Sequence, residues 1–217
     1  DTRSGRHQVW RLDVGRRSET LLYEPAYAPQ WSPDGSRIAF SISRSKPTGI
    51  AVASANGTGT PERLHSEPTG LAPSSDWSSD GRMLAFATRS GRDSDDVKVL
   101  SLADRTVSVA AGTRANEFDG TFSPDSQWIA YWSDESGQRQ IYVKHLGSGA
   151  RRQVSTTGGA TPRWRADGRE LFFLAPDGTM MSVAVTPGPE LRLSEPRPLF
   201  ATGADAISRL GVGSAFD

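Results

Sequence analysis

One ten-residue pattern, met four times, constrains this chain more than any other feature. It reads WSPDGSRIAF at 31–40, WSSDGRMLAF at 77–86, FSPDSQWIAY at 122–131 and WRADGRELFF at 164–173. The leading aromatics Trp31, Trp77, Phe122 and Trp164 recur every 42 to 46 residues. Self-similarity at a fixed period of that size means a row of equal structural units, each too small to bury its own apolar face alone.

The unit's local structure follows from its residues. Ser-Pro-Asp-Gly suits a type I turn: proline presets φ at the second position and aspartate bonds its own backbone. Glycine then takes the left-handed conformation that closes a three-residue hairpin loop. Asp34-Gly35, Asp80-Gly81 and Asp167-Gly168 supply that pair directly. In the third copy Ser126 follows Asp125, so a residue with a Cβ is expected at positive φ. In the fourth copy Arg165-Ala166 replaces Ser-Pro, leaving only Asp167-Gly168 of the turn signal. Each motif is therefore a strand ending in an aromatic, a tight turn, and a second strand ending in an aromatic.

Two more strands complete each unit. Third strands are expected at 50–53, 97–102, 141–146 and 180–185; fourth strands at 61–64, 106–110, 151–154 and within 190–200. Four short strands per unit with a period in the forties predict an all-β fold, a β-propeller segment. Four full four-stranded blades are expected over 26–65, 72–110, 117–155 and 159–200, in a single domain. Partial blades at 7–23 and 211–217 bring the total to about five. These ends do not fall on blade boundaries, so the chain reads as a fragment. The terminal pieces either share one composite blade and close a ring or leave an open arc, and the parent is expected to have six or more blades.

Composition excludes several functions. Charge is balanced, with 25 basic and 25 acidic residues, so no net field draws the chain to nucleic acid or anionic lipid. Cysteine is absent, which removes disulfides, thiolate metal sites and cysteine nucleophiles. No apolar run in the sequence reaches the roughly 18 residues of a spanning helix, so no direct membrane contact is expected of this segment.

Chemistry-bearing residues are sparse. His7, His65 and His145 are far apart with no carboxylate partner pattern, and His145 reads as a surface residue. No Gly-x-Ser-x-Gly elbow occurs. The run Asp93, Asp95, Asp96 lacks the spacing of a calcium loop and reads as a solvated loop. Asn56-Gly57-Thr58 matches a glycosylation acceptor but reads as a turn. The repeated Asp34, Asp80, Asp125 and Asp167 read as turn formers, because the whole turn recurs and not only the acid. The four leading aromatics read as core between blades. No cofactor, metal or catalytic residue is expected. What remains is the mouth of the central channel, where loops entering the innermost strands would hold Tyr27, Gln30, Ser75, Asp76, Asn116, Glu117, Asp119, Thr161 and Arg163. Of these Gln30, Asp76, Glu117, Asp119 and Arg163 are the candidate binding residues, for a protein, a peptide or a small ligand.

The pattern Trp-Ser-Pro-Asp-Gly-x-x-Ile-Ala-Phe resembles the WD-like repeat of TolB-type propellers over residues 8–217. Residues 122–146 and 158–178 resemble, more narrowly, the C-terminal propeller of bacterial transmembrane serine/threonine protein kinases. That resemblance implies a non-catalytic recognition or scaffolding propeller, facing the periplasm or cell exterior as a kinase sensor. No kinase motif lies in the chain: no His-Arg-Asp loop, no Asp-Phe-Gly, no glycine-rich phosphate loop. The same repeat implies two alternatives, a periplasmic TolB-like protein-binding propeller and the substrate-gating propeller of a prolyl-oligopeptidase-type peptidase.

Overall fold

The computed structural model describes residues 7–42, 48–67, 74–89, 94–186, 188 and 190–202. All regular structure among them is β. A two-stranded sheet comes first, β1 (Val9–Asp13) with β2 (Ser18–Tyr23). The next sheet is β3 (Ala26–Trp31), β4 (Arg37–Ile42), β5 (Thr48–Ser54) and β6 (Glu62–Glu67). It is followed by β7 (Ser74–Trp77), β8 (Met83–Arg89), β9 (Asp95–Ser101) and β10 (Val107–Ala111). The third four-stranded sheet is β11 (Glu117–Phe122), β12 (Trp128–Ser133), β13 (Gln140–His145) and β14 (Arg151–Gln153). The last is β15 (Ala160–Trp164), β16 (Glu170–Leu174), β17 (Thr179–Thr186), β18 (Arg192–Leu193) and β19 (Arg197–Ala201). Each sheet is an antiparallel meander in chain order. In the last, β18 and β19 both pair with β17, and Pro196, which has no N–H to donate, lies between them. The architecture is an all-β propeller of about five blades, one of them partial.

Turn chemistry fixes the hairpin that opens each full blade. In the first, the Ser32 hydroxyl donates to Asp34 Oδ1 at 2.6 Å, and that oxygen accepts the Ser36 N–H at 3.0 Å. The Arg37 N–H closes back onto Ser32 Oγ at 2.9 Å. Ser78 with Asp80, and Ser123 with Asp125, repeat the pattern. These donors hold the Asp34 carboxyl down at about 2. Gly35, Gly81 and Gly168 have φ of 69°, 73° and 71°, and Ser126 has 58°. The fourth turn is not the stripped version its sequence suggests. Arg165 replaces the serine hydroxyl with a fork, donating from Nε and Nη2 to the two Asp167 oxygens at 2.7 Å each, and Asp167 also falls to about 2.

The core lies between sheets. Ala39, Ile50 and Val52 of one blade meet Trp77, Leu84, Phe86 and Leu100 of the next. Val97, Val99 and Ala110 meet Phe122, Ile129 and Tyr131 across the following interface, and Ile141 and Val143 meet Leu171 and Phe173 across the last. Strands such as β12 are buried along their whole length, because both faces are covered. The first strands of successive blades touch one another, β3 to β7, β7 to β11 and β11 to β15, so they are the inner strands around the axis.

Three expectations need correction. Trp31 is 54% exposed, not core, whereas Trp77 is 5% exposed. The leading aromatic packs on the second and third strands of the preceding blade, as Trp77 does on β4 and β5. Before Trp31 stands only the pair β1–β2, which has no such second strand among the described residues. Asp95 and Asp96 are not a solvated loop: they open β9 and are buried, while Asp93 lies outside the described residues. His145 is half-buried. It lies edge-on against Trp128, with centroids 4.8 Å apart, and its Nδ1 accepts the Gly147 and Ser148 N–H groups. The expected strand start at 212–217, and with it the question of closure, falls outside the described residues.

Candidate functional site

The residue just before each leading aromatic occupies the same place on each inner strand. These residues are Gln30, Asp76, Thr121 and Arg163, and they form an arc around the axis. Two are joined directly: Asp76 Oδ2 accepts the Thr121 hydroxyl at 3.1 Å and the Phe122 N–H at 2.7 Å. Asp76 thus bridges two blades. Burial raises its carboxyl above the ordinary 3.8, against the pull of those donors and of the Arg163 charge.

A second arc lies two residues earlier, at a bulge. Pairing of the first and second strands slips at the same place in every full blade, between Tyr27 and Gln30, Ser74 and Asp76, Phe118 and Thr121, and Ala160 and Arg163. Inside it Ala28, Asp119 and Thr161 stand at φ of 50°, 56° and 50°. A left-handed conformation costs a β-branched threonine about 1–2 kcal/mol, and bulges re-aim side chains. Asp119 Oδ2 accepts the Trp132 Nε1–H at 3.1 Å. Phe118 stacks on Trp132 with centroids 5.1 Å apart, and the Arg139 guanidinium lies 4.6 Å above the same ring. Burial raises the Asp119 carboxyl, opposed first by Arg163, then by Trp132, Arg139 and the Thr161 N–H.

Arg163 is the exposed member of the two arcs. Its Nη1 donates to the Pro162 carbonyl at 2.7 Å. A guanidinium carries five N–H donors, and no other hydrogen bond or ion pair engages this one among the described residues. It lies within electrostatic reach of both Asp76 and Asp119 without pairing with either.

Placement differs from the expectation in two respects. Tyr27, Gln30, Ser75, Asp76, Glu117, Asp119, Thr161 and Arg163 lie within inner strands, and only Asn116 is on an entering loop. Glu117 does not face a ligand. It is fully buried, taking the Thr113 hydroxyl at 2.6 Å and the Ser133 hydroxyl at 3.2 Å, so it ties a turn to β12. Asn116 is likewise spent, donating its N–H and Nδ2 to the Asp134 carboxylate. Gln30 makes no side-chain hydrogen bond among the described residues. Sequence reasoning missed Phe118, Trp132 and Arg139, because nothing in a strand sequence tells which core aromatic reaches an acid on the inner strand. A concavity of about 540 Å³ opens away from these residues, between β1 and β3, beside Trp10 and Tyr27.

Comparison with known proteins agrees with the propeller fold. The family model of the TolB beta propeller domain, PD40, matches residues 13–195. The Tol-Pal system protein TolB of Anaeromyxobacter sp. (strain K) is 40% identical over 68 residues, covering 30% of this chain and 15% of that protein. The crystal structure of TolB from Acinetobacter baumannii superposes with a TM-score of 0.67 at 20% identity, over 88% of this chain and 49% of that one. An oligogalacturonate lyase in complex with manganese gives the same TM-score at 14% identity, over 94% of this chain and 64% of that one. The last two likenesses show the fold alone. The chain spans about half of the Acinetobacter protein and a smaller share of the Anaeromyxobacter one.

Proposed function

Because the chain belongs to the PD40 family of TolB β-propeller domains, we propose that it is a non-catalytic recognition propeller that binds a protein partner at the inner-strand arcs, in the manner of a TolB-like envelope protein. The observation that carries this is the arc itself. Asp76 and Thr121 are held together by a cross-blade hydrogen bond, Asp119 is held by Trp132 of its own blade, and Arg163 stands exposed beside them with donors to spare. Fixed polar groups brought together on neighbouring inner strands, with an exposed donor among them, suit a binding site, and no nucleophile–base pair is set among them. The family match and the TolB relatives favour this reading over the kinase sensor and over the peptidase gate. An extracytoplasmic location belongs to the same proposal.

The test places a photo-crosslinking amino acid at position 163 and, as a control, at Asp104 on an outer turn. The reading expects one defined protein adduct from position 163 and none from the control. Arg163→Glu is expected to weaken binding of that purified partner at least tenfold. Adducts from position 104 alone, or unchanged affinity in Arg163→Glu, would refute it.

A further inference from the structure

We propose that the free guanidinium fork of Arg163 is a carboxylate receptor, and that the partner is seated by a carboxylate of its own. This rests on the recognition reading above and names its chemistry. The fork is aimed by two features of β15. The Pro162 carbonyl fixes Nη1 at 2.7 Å, and the bulge at Thr161, with φ of 50°, turns the strand just before it. A tethered fork loses less entropy on binding than a free one. Planar bidentate pairing to carboxylate is what a guanidinium does better than a lysine ammonium.

The neighbouring acids do not quench it. Asp76 is taken up by Phe122 and Thr121, and Asp119 by Trp132, and neither forms an ion pair with Arg163. Arg139, held on the face of Trp132, adds a second positive charge close to Asp119. The inner rim therefore presents an unpaired cation in a wall whose anions are already engaged. Phosphate would meet the same fork, but the two half-buried carboxylates near it disfavour a doubly charged anion more than a singly charged one.

The experiment follows the Arg163 Nε–Hε resonance of the full chain during titration with three capped tripeptides. They are acetyl-Ala-Asp-Ala-amide, acetyl-Ala-Ala-Ala with a free carboxylate, and acetyl-Ala-Asn-Ala-amide as the uncharged isostere. At least one carboxylate peptide is expected to shift the resonance and saturate below about 10 mM, a range that covers millimolar affinities. Which of the two does so tells a side chain from a chain terminus. The asparagine peptide is expected to leave the signal unmoved. Read by peptide-detected NMR, Arg163→Gln is expected to abolish binding and Arg163→Lys to weaken it at least threefold, both with unchanged melting temperature, since the side chain is exposed. Asp119→Asn, which keeps an acceptor for Trp132, is expected to strengthen binding about threefold by removing a nearby anion.

No shift with either carboxylate, equal binding of the asparagine peptide, or undiminished binding in Arg163→Gln would overturn the proposal. If the peptides fail while position 163 still crosslinks to one partner, the carboxylate chemistry is wrong and the recognition reading stands. If they bind but no partner crosslinks, the receptor is real and the protein-binding reading is wrong.

Discussion

Replacing Trp77 and Trp31 in turn with alanine separates the repeat from its environment. Both head the same ten-residue motif, yet Trp77 is 5% exposed and Trp31 54%. Trp77 fills the interface between two blades against Ala39, Ile50, Val52 and Leu84, with the Arg37 guanidinium 5.1 Å from its ring centroid. Removing a buried tryptophan costs about 3–5 kcal/mol in transfer and cavity terms. One feature works against the upper end: its Nε1–H is buried with no hydrogen-bond partner among the described residues. Deleting an unsatisfied donor returns about 1 kcal/mol. Trp77→Ala is therefore expected to cost about 3 kcal/mol. Trp31→Ala leaves no cavity and gives up only the covered part of the ring, about 1 kcal/mol. Urea unfolding of the two variants side by side measures the difference. Equal losses, or a loss below about 1 kcal/mol for Trp77→Ala, would show that packing between blades is not what holds the unit.

The same structure fixes the outcome of other perturbations. Trp77→Phe removes the orphan donor and is expected to stay within about 1 kcal/mol of the parent; Trp164→Phe, which breaks the Nε1–H bond to the Thr121 carbonyl at 3.2 Å, is expected to lose about 1 kcal/mol more by the same melt. Gly120→Ala places a Cβ 2.6 Å from Val97 Cγ1 and 3.1 Å from Ile129 Cδ1, and overpacking of that kind is expected to cost about 1–3 kcal/mol in a denaturant series. Thr161→Gly relieves a left-handed β-branched residue and is expected to leave the melting temperature unchanged or raised, the strain relief offsetting the added chain entropy. The acids have opposite signs with pH. Asp34 and Asp167, held at about 2 against an ordinary 3.8, contribute stability that is present above 3.8 and lost as pH falls towards 2. Asp76 and Asp119 are raised by burial, so stability falls as pH rises from 3.8 through their folded values, and Asp76→Asn and Asp119→Asn are each expected to lose less stability than the parent on that rise.

The fold was legible because the turn chemistry repeats with the strand pattern. Ser-Pro-Asp-Gly specifies a hairpin locally, and four copies at even spacing specify a stack. Arg165 shows where that legibility ends. Its copy looks degraded in sequence, yet an arginine–aspartate fork does the work of the serine–aspartate bond. The site was less legible for three reasons. Glu117 looks like a surface acid until Thr113 and Ser133 are seen to close over it. The bulges place positive φ on Ala28, Asp119 and Thr161, none of them a glycine that would announce it. Trp31 is exposed through what lies beside it, which its own motif cannot reveal. Arg163 was found because it lies where the chain enters an inner strand, but its value as a donor depends on where Asp76 and Asp119 spend their oxygens.

The central claim is that the repeats stack as separate blades with their first strands side by side. Through-space NMR contacts between inner strands test it most directly. The account predicts contacts from Asp76 to Thr121 and Phe122, and from Asp119 to Thr161, with no backbone ladder joining β6 to β7. A continuous ladder between β6 and β7, without those contacts, would mean one flat sheet and no axis for a ligand to enter.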